Sequence, residues 1–199
     1  MTDTIIKDIF FKQGDFVIIT GPMFAGKSKL LIDLFYKQEN VCAYGSVINT
    51  RDNSIKSRDY KDKEIPCQKI ANPLDILKCD KEIVIIDEFQ FLGPVESLKD
   101  IVNTLKEKKK IIIMAGLDLL ANGAEWENYT VLKKICDKEI KLKAKCSICD
   151  KPASYTQMIA GDKKKDIQVE SENVQYTPRC YEHFHPWLTF NFFYVYNFL

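Results

Sequence analysis

The stretch FVIITGPMFAGKSKLLIDLF, residues 16–35, decides the fold. Its centre, GPMFAGKS at 21–28, fits the spacing G-x-x-x-x-G-K-[ST]. Phe16-Val17-Ile18-Ile19 before it is an apolar, β-branched run too short for a core helix. Leu30, Leu31, Leu34 and Phe35 after it fall on one helical face. Strand, loop and helix in that order make a phosphate cradle. Gly21 and Gly26 accept backbone angles that other residues resist, so successive N–H groups can turn inward on an anion at a helix N-terminus. Gly21, Pro22, Met23, Phe24, Ala25, Gly26, Lys27 and Ser28 are therefore assigned to nucleotide binding. Lys27 is expected to reach the β- and γ-phosphates, and Ser28 to offer its hydroxyl to Mg²⁺.

Working outward, three more short apolar runs read as buried strands: Val41-Cys42-Ala43-Tyr44, Ile83-Val84-Ile85-Ile86 and Ile111-Ile112-Ile113-Met114. Val95, Leu98, Val102 and Leu105 form a second helical stripe. Strands alternating with helices imply crossover connections and a parallel sheet. The expected fold class is α/β, a P-loop (RecA-like) parallel sheet flanked by helices. Asp87 and Glu88 follow the 83–86 run directly. An Asp at a strand's carboxyl end beside a P-loop suits magnesium. Glu88 could accept a proton from a substrate hydroxyl or orient a water, and the residues alone do not choose.

Past residue 138 the pattern changes. Ile140, Leu142 and Ala144 alternate with lysines, as in a half-exposed strand. Cys146-x-x-Cys149 and Cys180-x-x-His183 then supply two short-spaced ligand pairs that suit a closed, structural zinc site, with His185 as a competing fourth ligand. The expected organisation is a nucleotide-binding domain over 1–138, a small zinc-ribbon-like domain over 139–185, and an aromatic tail over 186–199. That tail is too short to span a bilayer.

Composition narrows the function classes. Twenty-nine basic residues against 28 acidic ones leave a net charge of +1, which offers no general attraction to nucleic acid or to a membrane surface. No apolar run approaches the roughly 20 residues of a membrane span. Seven cysteines, no leader-like segment and a nucleotide motif point to a reducing, cytoplasmic setting. The thiols are accordingly expected to be free or metal-bound rather than paired.

P-loop, Asp87-Glu88-Phe89-Gln90-Phe91, then a Cys-x-x-Cys and a Cys-x-x-His pair, in that order, resemble the type II thymidine kinases of cytosolic, poxviral, bacterial and phage origin. The similarity runs from about residue 14 to 183 and includes KLKAKCSICDKPASYTQM at 141–158 and YTPRCYEH at 176–183. The resemblance implies ATP-dependent phosphorylation of the thymidine 5′-hydroxyl, with deoxyuridine as a further acceptor. It implies Glu88 as general base, Asp87 and Gln90 on the cofactor side, and Arg51 on the transferring phosphoryl group. Met23, Phe91, Thr156 and Tyr176 would face the nucleoside. It also implies a homotetramer. The alternative is a P-loop ATPase, or an inactive nucleotide-binding relative with an interaction role. Several positions depart from the family pattern. Asn49 replaces the acid of Asp-x-Arg, and Gly45-Ser46 stands where many members have Lys-Pro. Ala121 replaces a Phe, and Glu170-Ser171-Glu172 replaces glycines that give the substrate loop its sharp path.

Overall fold

The computed structural model describes residues 10–48, 53–162, 168–169 and 171–185. Arg51, Asn49, Glu170 and the tail from residue 186 lie outside them.

Six strands form one parallel sheet: β1 (Phe16–Thr20), β2 (Val41–Ser46), β5 (Gln68–Ile70), β6 (Ile83–Asp87), β7 (Ile111–Gly116) and β8 (Lys138–Lys141). Their order across the sheet is β5-β2-β6-β7-β1-β8. The four apolar runs are β1, β2, β6 and β7, and every residue of β1 and β6 is buried. Their side chains divide by period two between two cores. Phe16, Ile18, Val84, Ile86, Ile112 and Met114 enter one core with Leu98, Ile101, Val102 and Leu105 of helix α2 (Val95–Glu107). Val17, Ile19, Ile83, Ile85 and Ile113 enter the other with Leu30, Leu31 and Leu34 of helix α1 (Lys27–Phe35). A short helix α3 (Glu127–Leu132) adds Tyr129 and Leu132 to the first core. Covering both faces explains why these strands are continuously apolar rather than alternating.

Between β2 and β5, a hairpin of β3 (Ser54–Lys56) and β4 (Glu64–Pro66) lies against α1 and buries Ile55 and Ile65 in its core. The strand expected around Ile140 is present as β8. It pairs with β1 in parallel, so the large sheet extends to Lys141. Beyond it come two small antiparallel pairs, β9 (Ala144–Lys145) with β10 (Pro152–Ala153), and β11 (Tyr155–Ala160) with β12 (Gln175–Arg179).

One expectation is corrected. Cys42 and Cys79 are joined by a disulfide rather than free, because the start of β2 lies beside the end of the 3₁₀ turn Pro73–Lys78. The remaining described cysteines are unpaired. Among the described residues, no helix is long and apolar enough to cross a membrane.

Candidate active site and metal centre

The carboxyl ends of β1 and β6 open on the same edge of the sheet, where α/β proteins hold ligands. β7 lies between them, so the loop after β1 and the acids after β6 face each other across a cleft. A cavity of about 440 Å³ there is lined by residues 23–28 of the loop, Asp87 and Glu88.

The loop's two glycines are needed for different reasons. Gly26 sits at φ 85°, a left-handed geometry that starts α1. Gly21 has φ 138°, and a Cβ there would collide with the carbonyl of Leu142 just past β8. The loop is also held from outside. Met23 N–H donates to Thr156 Oγ1 on β11 at 2.9 Å. Ala25 packs against the small core of Ala144, Cys146, Ala153 and Cys180. Lys27 is buried, and its Nζ donates to the carbonyls of Gly21 (3.0 Å) and Pro22 (2.8 Å). Burial pushes its pKa down, while Glu88, Asp87 and Asp118 push it up to a lesser extent.

Ser28 Oγ lies 3.5 Å from Asp87 Oδ2, so hydroxyl and carboxylate share one side of the cleft. Burial raises the Asp87 pKa to about 7, with the charge of Glu88 adding to the effect. Hard oxygen donors beside a phosphate cradle fit Mg²⁺, whose charge would offset that cost. Glu88 follows in a left-handed conformation (φ 56°), uncommon for a side chain of its kind, and its N–H donates to Asp87 Oδ1 at 3.1 Å.

Two side chains brace that strained residue. Gln90 Nε2 donates to Glu88 Oε2, and Gln90 Oε1 accepts from Leu117 N–H at 3.0 Å. Asn128 of α3 is buried and donates through Nδ2 to the carbonyls of Phe89 (2.9 Å), Gln90 (3.3 Å) and Leu92 (2.6 Å). Gln90 therefore stands behind Glu88 rather than in the cavity wall.

Of the residues expected to face a nucleoside, Met23 lines the cavity and is bonded to Thr156. Phe91 meets Trp126 edge-on, with ring centres 5.7 Å apart. Tyr176 projects from β12 and donates its hydroxyl to the carbonyl of Gln168 at 2.8 Å. The segment Ser171 to Val174 turns tightly, closed by Ser171 N–H to the Val174 carbonyl (2.9 Å) and the reciprocal bond (3.2 Å). Neither Ser171 nor Glu172 needs a positive φ to do so.

Cys146, Cys149, Cys180 and His183 converge, their ligand atoms all within 4.8 Å of one another. Cys149 Sγ is 3.7 Å from Cys180 Sγ, and His183 Nδ1 is 3.7 Å from Cys146 Sγ and 3.3 Å from Cys180 Sγ. A tetrahedron with metal–sulfur bonds of about 2.3 Å has sulfur–sulfur edges of roughly 3.8 Å, so the four atoms fit one metal ion. Burial opposes a Cys146 thiolate, yet the N–H groups of Cys180, Ile148 and Cys149, with His183, hold its pKa at about 5. Of the two candidate histidines, His183 takes the fourth corner, and the backbone N–H of His185 donates to Gln157 Oε1 at 2.9 Å. Lys151 and Glu182 clamp the two ligand pairs together at 2.9 Å.

Sequence reasoning missed several groups of the cavity wall. Arg58 stacks its guanidinium 4.5 Å from the ring centre of Phe24, and Lys69 of β5 and Cys67 just before that strand line the wall as well. The signal of Arg58, Cys67 and Lys69 is tertiary, since each lies in a polar stretch with no periodic pattern. Outside that wall, Lys141 pairs with the buried Asp118 at 2.9 Å.

Comparison with known proteins places these features in one family. The family described as thymidine kinase matches residues 14–184. Among solved structures, a Pif1 helicase from Bacteroides with ADP-AlF3 and ssDNA is 17% identical, over 67% of this chain and 35% of that chain, with a TM-score of 0.36. The large terminase of bacteriophage HK97 is 14% identical, over 68% and 36%, with a TM-score of 0.35. The chain thus spans about a third of the length of these solved proteins.

Proposed function

Because this chain belongs to the thymidine kinase family, whose members are ATP-dependent phosphotransferases, we propose that it moves the γ-phosphate of ATP to the 5′-hydroxyl of thymidine, with deoxyuridine as a second acceptor. The observation that carries the reading is the facing of two sets: Lys27 and Ser28 at the end of β1, Asp87 and Glu88 at the end of β6.

In the proposed reaction the hydroxyl oxygen forms a bond to the γ-phosphorus as the bond to the β–γ bridging oxygen breaks. ADP leaves, and Glu88 takes the hydroxyl proton. A loose phosphoryl transition state needs alignment and positive charge more than a strong base. The braces from Gln90 and Asn128 hold Glu88 in line. Lys27 neutralises the phosphates on leaving its carbonyl partners, and Arg51, outside the described residues, is assigned to the same charge. Asp87 and Ser28 would hold Mg²⁺, which supplies further charge neutralisation. Met23, Phe91, Thr156 and Tyr176 are assigned to the nucleoside side. The Cys₃His cluster would hold zinc in a structural role, since all four corners come from the protein. A homotetramer and a cytoplasmic setting accompany the reading. The competing reading, an ATPase, uses Glu88 to orient water.

Thymidine-dependent release of ADP from MgATP tests the choice. Stimulation by thymidine supports the kinase, and release at the same rate with and without nucleoside supports the ATPase.

A further inference from the structure

Three residues lie in a row across three strands. Gly45 of β2 is in register with Asp87 of β6 on one side and with Lys69 of β5 on the other. Side chains directly across neighbouring parallel strands leave the same face of the sheet, so Lys69 and Asp87 point to one side with a bare position between them. A Cβ on Gly45 would stand 3.4 Å from Lys69 Nζ and 3.6 Å from Cys67 Sγ. The ammonium group of Lys69 therefore lies over Gly45, bent across β2 toward Asp87. Both ends of this row reach the cavity that holds the phosphate loop.

We propose that Lys69 is a phosphate-charge residue of the transfer site, reaching its place only because position 45 has no side chain. Strands sit about 4.8 Å apart, and an extended lysine spans slightly more than one such step. A lysine on β5 can thus serve the same volume as one on β2, provided β2 leaves the path open. Lys69, Gly45, Asp87 and Lys27 all line this one cavity, so the ammonium group faces the space where a phosphate held by the loop would lie.

The proposal rests on the kinase reading for its kinetic test, and a binding measurement keeps the two separable. Lys69→Ala is expected to lower kcat/KM for MgATP at least tenfold and to weaken MgATP binding in calorimetry, with KM for thymidine within twofold of the parent. Lys69→Met, which keeps the stem, gives the same loss. Gly45→Lys added to Lys69→Ala then recovers a large part of it, since removing the lysine clears the space above Gly45. A counter-ion serving only the fold would not be restored from the other strand. Lys69→Ala within twofold of the parent in both measurements, or a double variant no better than Lys69→Ala, overturns the proposal. A parent protein that phosphorylates no nucleoside overturns the kinase reading instead, and MgATP binding by the same variants still decides the role of Lys69.

Discussion

Replacing Asp87 by asparagine is expected to stabilise the nucleotide-free protein while removing its response to MgATP. Asp87 is buried at the end of β6, and burial, reinforced by Glu88, raises its pKa from 3.8 to about 7 against the opposing pull of Lys27, the Glu88 N–H and Lys69. A raised carboxyl means that the folded protein prefers the protonated form. Its contribution to stability is full below pH 3.8 and is lost as pH rises through about 7. At roughly 1.4 kcal/mol per pH unit, the loss by pH 8 is on the order of 4 kcal/mol, and roughly half of it accrues above pH 5.5. Asparagine has nearly the same shape, keeps an acceptor for the Glu88 N–H now at 3.1 Å, and never ionises. The stability gap between variant and parent should therefore widen by about 2 kcal/mol from pH 5.5 to pH 8, or roughly 4–8 °C in Tm for a chain of this size. Thermal unfolding followed by fluorescence reads this directly. The buffers should lack magnesium but contain no chelator, so that the cysteine cluster keeps its metal. Adding MgATP should then raise the Tm of the parent and not of the variant. A gap that ignores pH, or a variant less stable than the parent at pH 8, would refute the reasoning.

Glu88→Gln should cut turnover by about 10²–10⁴ with MgATP affinity near that of the parent, measured by steady-state kinetics and calorimetry. Cys146→Ser should lower the metal content and the melting temperature together, read by elemental analysis and thermal unfolding. Because Ala25 packs on the cluster's core, that variant should also bind MgATP more weakly. Thr156→Val leaves the Met23 N–H without its acceptor at 2.9 Å and should cost about 1–3 kcal/mol of stability, with a matching drop in MgATP affinity.

The parts of the fold that were legible in sequence are those whose signal is local. Ile83 to Ile86 read as a strand because burial on both faces needs an unbroken apolar run, and the glycines of GPMFAGKS read as a cradle because φ at Gly21 and Gly26 demands them. The hairpin of β3 and β4 was hidden because only Ile55 and Ile65 mark it within a lysine-rich stretch. The ligand pairs were legible from spacing, yet spacing could not decide between His183 and His185. That choice depends on the 3₁₀ turn Tyr181–His183, which carries the His183 ring to the three thiols. Gln90 and Asn128 were not recognisable as braces, because the carbonyls they serve lie on a turn that forms only when α3 packs against it. The Cys42–Cys79 pair likewise depends on contacts distant in sequence.

The central claim is that the acids after β6 and the loop after β1 form the two halves of a nucleoside kinase site. Incubating the full chain with MgATP and each deoxynucleoside in turn, and identifying the product by mass, tests it most directly. The account predicts thymidine 5′-monophosphate in equal amount to the ADP formed, with deoxyuridine as the next best acceptor. ATP consumed without a nucleoside monophosphate from any of them would contradict it.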